Sequence, residues 1–213
     1  MPKTIGIVAI KGGVGKTTIA ASLAADLANN YQKKVLLIDA NFSAPNLGLH
    51  MDILEPKKTI HHVLANKSRI TSAIHRKFGV DVIPGNYVFN SAINHLKLKN
   101  KINNIKKKYD FIIIDSSPSL NTEMLSTMLA SDNIFIVTTP DYPTLSCTLK
   151  ASKLAINRGS QISGIIINKI RDPKYELNLK EIEAITKIPI VAKIPDDKTA
   201  VRSLFKRIPI PLY

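Results

Sequence analysis

Residues 11–18 carry the clearest chemistry in the chain. They read K-G-G-V-G-K-T-T, which fits the phosphate-binding pattern G-x-x-x-x-G-K-[ST] if Ala9 or Ile10 stands where the first glycine usually is. Glycines let the backbone curl so that its N–H groups face phosphate oxygens. Lys16 can then reach the terminal phosphates, and the Thr17 hydroxyl can bind Mg²⁺. A helix beginning near Lys16 would turn its positive end toward the same anion.

The residues on both sides of this run predict the elements that must hold it. Residues 4–10 form a short apolar stretch that is typical of a buried strand. Residues 19–28 are rich in Ala and Leu, with Leu23 and Leu27 four apart, as expected for a helix. Strand, glycine-rich loop and helix follow one another in the order that a phosphate site requires.

Two aspartates end later apolar runs, and parallel strands would place them near the phosphate loop. Asp115 precedes Ser-Ser-Pro-Ser, and its carboxylate is a candidate for holding Mg²⁺ through a bound water. The competing interpretation is a helix N-cap. Asp39 is also a metal candidate, although contact with Lys16 is an alternative.

The remaining apolar runs alternate with helical patterns along the whole chain. They are continuous, which predicts strands buried on both faces of a mostly parallel sheet. We therefore predict an α/β fold with three layers and one domain over residues 1–213. The strand-like runs lie at 35–39, 80–83, 111–115, 134–137, 164–167 and 190–192.

Composition narrows the class of protein. The 213 residues carry a formal charge of +14, which suits either a nucleic acid partner or a lysine-rich surface. The one cysteine, Cys147, cannot form an intramolecular disulfide or a thiolate cluster. The first residues have no signal-peptide pattern, so we expect a cytoplasmic protein.

The chain resembles the MinD/ParA family of P-loop ATPases, which have a lysine-bearing variant of the phosphate loop. Five further segments besides residues 11–18 carry the likeness, and Pro45–Leu49 looks more like MinD than plasmid ParA. These segments are the V-L-L-I-D strand ending at Asp39, P-N-L-G-L at 45–49, F-I-I-I-D-S-S-P-S at 111–119, and the Asn168-Lys169 and Ile194-Pro195-Asp196 segments.

The resemblance implies an ATPase that forms a face-to-face homodimer with ATP and Mg²⁺. Lys11 would reach the partner's phosphates, and Lys16 those of its own subunit. Asn168 and Pro195 would flank the adenine. The residues expected to bind ATP are Gly12, Gly13, Val14, Gly15, Lys16, Thr17, Thr18, Asn168 and Pro195, and those expected at the metal are Thr17, Asp39 and Asp115.

Asn41 departs from the family pattern, which commonly has a second Asp there to orient the attacking water. An amide can hydrogen-bond water but cannot take a proton. One expectation is therefore slow hydrolysis and a long-lived ATP dimer that needs an activating protein. The alternative is that Asn41 positions the water adequately.

Two stretches could contact larger partners. Residues 95–108 are rich in lysine around an apolar stripe at Leu98, Ile102, Ile105 and Tyr109, so they are either a DNA phosphate surface or a solvated helix face.

The pattern of residues 201–208 predicts an amphipathic helix. We favour packing of its apolar face on the sheet over binding to a membrane surface. MinD-like proteins continue into a membrane-binding helix, so peripheral membrane association is expected if the native chain extends beyond Tyr213.

Several functions compete. The first is a MinD-like switch that positions cellular machinery, and the second is a ParA-like segregation ATPase whose dimer binds DNA without sequence preference. A module that binds ATP and scarcely hydrolyses it is also open. An iron–sulfur carrier is disfavoured, because it would need paired cysteines. A metabolic kinase is also disfavoured, because the sequence shows no site for an acceptor substrate.

Overall fold

All eight strands join one sheet in a computed structural model that describes residues 2–172 and 174–213. The order is β3-β4-β2-β5-β1-β6-β7-β8, and all neighbours are parallel except β3 and β4. The strands are β1 (Lys3–Val8), β2 (Val35–Ala40), β3 (His75–Lys77), β4 (Val80–Ile83), β5 (Phe111–Ser116), β6 (Asn133–Thr138), β7 (Ile162–Ile170) and β8 (Ile190–Pro195).

The helices cover both faces of this sheet. On β2, Leu37 packs in a cluster with Ala20 of the first helix, whereas Leu36 and Ile38 pack with Leu98 on the opposite face. The predicted three-layer α/β fold is thus confirmed. The helices are α1 (Lys16–Asn29), α2 (Leu47–His50), α3 (Ile60–Leu64), α4 (Leu98–Asn103), α5 (Thr122–Ala130), α6 (Tyr142–Asn157), α7 (Leu179–Thr186) and α8 (Lys198–Lys206).

The strand order brings the functional segments to one edge of the sheet. β5 lies between β2 and β1, with Asp39 paired in register to Asp115. Because the three strands are parallel, the loops that follow them meet at their carboxyl ends. Residues 11–15, the loop after Asp39 and the loop after Asp115 therefore surround one cleft.

Two local predictions need correction. The helix predicted across 98–109 ends at Asn103 and gives way to a 3₁₀ turn at Lys106–Lys108, although its apolar stripe is buried as predicted. α8 does not pack its apolar face on the sheet. Val201 and Phe205 are 72% and 82% exposed because α8 lies outside the sheet, beside the cleft.

The antiparallel edge strand β3 was not predicted, since three polar residues carry no strand pattern. Within the described residues, no helix combines the length and apolar character needed to cross a membrane.

Candidate functional site

The phosphate loop adopts a backbone that requires glycine. Gly13 and Gly15 have φ angles of 77° and 96°, in the left-handed region that favours residues without a Cβ. Gly15 is also the N-cap of α1, where a Cβ would overlap the side-chain amide of Asn168. That amide donates to the Val14 carbonyl over 2.7 Å, so β7 braces the loop from behind.

Lys16 is the buried cation of the site. Only 6% of the residue is exposed, and it lines the cleft at the start of α1. Burial lowers the pKa of its ammonium group, while the nearby Asp115 carboxylate opposes that shift. Among the described residues, no carboxylate oxygen lies within 4.0 Å of its Nζ atom. A phosphate in the cleft would supply the missing counter-charge.

Thr17 and Asp115 form a set that fits Mg²⁺. The Thr17 hydroxyl donates to Asp115 Oδ2 over 2.7 Å and also contacts Asn46 Oδ1 at 3.1 Å. Asp115 is fully buried, and within residues 2–172 and 174–213 its Oδ1 has no hydrogen-bond partner. Burial raises the pKa of Asp115 to about 6 despite the opposing effects of Thr17 and Lys16. Oxygen ligands around an unsatisfied carboxylate are what Mg²⁺ binds.

Asp39 has a different environment from Asp115. Its Oδ1 accepts the backbone N–H of Asn41, and its Oδ2 accepts those of Asn46 and Leu47, all over 3.0–3.1 Å. Complete burial, with repulsion from Asp115, raises its pKa to about 8. The geometry therefore favours a role in shaping the β2–α2 loop over the direct metal contact predicted for it.

Asn41 lines the cleft near Lys16 and Thr17, as the sequence predicts. Its side-chain Nδ2 donates to the Ala44 carbonyl over 2.5 Å, so its amide orientation is fixed by its own loop. Two further residues of this wall were not predicted. Asn46 contacts the Thr17 hydroxyl, and His50 Nε2 lies 3.4 Å from Thr18 Oγ1. Asn46 belongs to the Pro45–Leu49 segment that carries part of the family resemblance, and His50 directly follows that segment.

Lys11 lies at the outer rim of the loop rather than over the phosphate cavity. Its side chain is 44% exposed, and Nζ contacts Thr144 Oγ1 at 3.0 Å and Asp141 Oδ1 at 3.4 Å. Both partners belong to the amino-terminal end of α6, and neither was predicted. An exposed lysine held only by rim residues is free to exchange this contact for another anion.

A larger apolar cavity adjoins the phosphate side. It measures about 520 Å³ and shares Gly15, Thr18 and Lys169 with the 470 Å³ phosphate cavity, so the two form one cleft. Asn168 and Pro195, the two residues expected to flank the adenine, both line it. The apolar walls come mainly from α1, β7, β8 and the last residues: Ile19, Leu23, Ile166, Ala192, Ile194, Ile210 and Pro211. A flat base fits such walls beside a phosphate site.

Comparisons with known proteins agree with this geometry. A family model described as an AAA domain matches residues 2–154. An uncharacterized ATP-binding protein of Methanocaldococcus jannaschii is 31% identical over 98% of this chain and 80% of its own length.

Two solved structures are also similar. The cell division ATPase MinD of Pyrococcus furiosus is 30% identical with a TM-score of 0.93, covering 99% of this chain and 90% of its own. The septum site-determining protein MinD of Pyrococcus horikoshii, solved with Mg-ADP, is 30% identical with a TM-score of 0.92, covering 99% and 88%. The chain therefore belongs to the MinD/ParA family of P-loop ATPases.

Proposed function

We propose that this protein is a MinD-like ATPase that binds ATP with Mg²⁺, dimerises, and uses hydrolysis to control the position of cellular machinery. The observation that carries the proposal is that two lysines of the phosphate loop are placed differently. Lys16 is buried in the subunit's own cleft, whereas Lys11 is exposed at its rim. Lys11 is thus available for the phosphates of a second copy.

ATP fits the cleft as follows. The phosphates would lie against the backbone of residues 12–18 and the Lys16 ammonium, with the base between the apolar walls. Mg²⁺ held by Thr17 and Asp115 would neutralise charge on the terminal phosphates. Water positioned near Asn41 attacks the γ-phosphorus, the bond to the β–γ bridging oxygen breaks, and ADP, phosphate and a proton leave.

Dimerisation makes this site a switch. A lysine borrowed from the partner neutralises phosphate charge only in the dimer, so ATP favours the dimer by its higher affinity for that state. Such a cycle would run in the cytoplasm. If the native chain extends beyond Tyr213, the cycle would also include peripheral attachment to a membrane. An activating protein would set the rate of hydrolysis.

The nucleotide part of the proposal is tested by ATP titration and by phosphate release under multiple turnover. Lys16→Ala should weaken ATP binding at least about tenfold, because a charge-assisted contact is lost. Lys150→Ala, at an exposed position on α6, is the matched control and should bind ATP normally. Equal ATP affinity in both variants would contradict the proposal.

A ParA-like segregation ATPase that binds DNA is the second candidate, and the charge of +14 favours it. Lys97, Lys99, Lys107 and Lys108 are exposed around the buried stripe of α4. A mobility-shift titration on random duplex DNA, with ADP and with ATP·Mg²⁺ at two salt concentrations, discriminates the candidates. Binding that requires ATP and falls steeply with salt would favour the DNA function. Weak binding indifferent to nucleotide would favour the MinD-like one.

A further inference from the structure

A cavity separate from the nucleotide cleft lies beside the β2–α2 loop. It measures about 290 Å³ and includes Phe42, Ser43, His61, Phe89, His95 and Glu123 in its lining. Exposed Ser43 and Tyr87 stand at its surface. None of its described lining residues lines either part of the nucleotide cleft.

Glu123 is the unusual group in this cavity. It is the second residue of α5 and is only 3% exposed. The Ser43 hydroxyl contacts its Oε1, but its buried Oε2 has no hydrogen-bond partner among the residues that the structure describes. In the described part of the chain, no Lys or Arg nitrogen lies within 4.0 Å of the Glu123 carboxylate. A buried carboxylate normally has a cationic or hydrogen-bonded partner.

Aromatic rings line the same cavity as this carboxylate. The His95 ring stacks on Phe42 with centroids 5.0 Å apart, and His61 contacts Phe42 and Phe89 at 5.9 and 5.3 Å. The two His61 ring nitrogens are engaged by the Phe42 carbonyl and the Asn86 backbone N–H. Burial lowers the pKa of His61, although the nearby Glu123 carboxylate opposes that shift.

The rim of the cavity already attracts a cation. The Lys67 ammonium lies 5.7 Å from the centroid of the Phe89 ring, and it also donates to Ser91 Oγ over 2.6 Å. Aromatic faces attract alkylammonium and guanidinium groups, and a carboxylate beneath them adds charge complementarity. A cavity lined by aromatic rings and a carboxylate suits an organic cation better than a neutral or anionic ligand.

We propose that this cavity binds an alkylguanidinium or alkylammonium group, held by the Glu123 carboxylate between the rings of Phe42, Phe89 and His95. In this proposal the cation replaces the Ser43 hydroxyl as the partner of the carboxylate. The group can belong to a free amine or to a basic side chain of another protein. The inference does not depend on ATP binding.

The test is an NMR titration that follows the ring C–H signals of the five histidines. The probe is agmatine, and 1-pentanol serves as an uncharged control. Agmatine should shift the His61 and His95 signals saturably, whereas those of His75, on β3, should stay unchanged. A peptide with one central arginine distinguishes the sources. A peptide that binds more tightly than agmatine supports a protein side chain, and the reverse supports a free amine.

Variants locate the binding. Glu123→Gln keeps the side-chain shape and should weaken agmatine binding at least about tenfold. Phe89→Leu should weaken it severalfold without touching the carboxylate. The matched control is Glu181→Gln, which alters an exposed glutamate in the first turn of α7 and should bind like the parent chain. The proposal is overturned if agmatine shifts neither His61 nor His95, if 1-pentanol binds equally, or if Glu123→Gln binds unchanged.

Discussion

At the scale of single residues, Asp39 and Asp115 show how one residue type takes two roles. They are paired in register on adjacent strands, and both are fully buried. The two Asp39 oxygens accept hydrogen bonds from three loop amides. Asp115 accepts one from Thr17 with Oδ2, whereas its Oδ1 has no partner in the described part of the chain. The sequence predicts both at the metal because each ends an apolar strand. Only the folded loop gives the two carboxylates different hydrogen-bond partners.

Asn41 provides the first prediction at this scale. Asn41→Asp would place a carboxylate at the cleft wall, where it can hydrogen-bond and help deprotonate the attacking water. We expect ATP turnover to rise about tenfold or more in a phosphate-release assay. Unchanged turnover, with ATP affinity intact, would mean that the amide already positions the water adequately.

The two raised aspartate pKa values predict how stability depends on pH. Their values in the fold, about 8 for Asp39 and about 6 for Asp115, exceed the usual 3.8, so the folded state binds more protons than the unfolded state between pH 4 and 8. These groups therefore lower the free energy of unfolding as pH rises through that window.

Asp39→Asn isolates the larger of these effects. The variant keeps a side-chain oxygen for the loop amides but removes the ionisation. Urea unfolding of the nucleotide-free protein at pH 5, 6.5 and 8 should show a shallower loss of stability with pH than in the parent chain. A slope equal to that of the parent would show that Asp39 does not titrate in this range.

At the scale of elements, α8 is the clearest departure from expectation. Its apolar residues follow helical spacing, which predicts packing on the sheet. In the fold Val201 and Leu204 line the cleft, and both remain exposed, as does Phe205. Ser203 is buried and donates to the Ile208 carbonyl over 2.5 Å. Periodicity identifies an apolar face but cannot say whether that face meets the core.

Substitution on α8 tests this placement. Val201→Ser together with Phe205→Ser should change the free energy of unfolding by less than about 1 kcal/mol, because both side chains are exposed. Ile182→Ala, at a buried position on α7, should cost about 2–5 kcal/mol and serves as the reference. Chemical denaturation of the monomer without nucleotide measures both. A loss of several kcal/mol for the α8 pair would place that face in the core.

The same limit explains which elements the sequence predicts. Strands such as β2 and β5 are continuous apolar runs, and burial on both faces makes them recognisable. The polar strand β3 forms only because β4 offers an edge to pair with.

In the site, the phosphate loop is local in sequence and was predictable. The contacts of Lys11 with Asp141 and Thr144 join residues about 130 apart, which no local pattern reveals.

At the scale of the whole molecule, the cleft and its rim lie together at one edge of the sheet. The phosphate loop, Asn41, Asp115 and Lys11 all follow the carboxyl ends of parallel strands or lie beside them. A second copy that approaches this edge would meet Lys11 at the rim. The central claim of the proposed function is that nucleotide occupancy and association are coupled through this one surface.

The most direct measurement of this claim is the molar mass in solution by light scattering after size exclusion, with ADP·Mg²⁺ and with ATP·Mg²⁺. We expect a monomer of 23.5 kDa with ADP and a dimer with ATP. Lys11→Ala should remain monomeric with ATP while still binding it, and Lys150→Ala should dimerise normally. The same mass with both nucleotides, or an unaffected dimer in Lys11→Ala, would contradict the account.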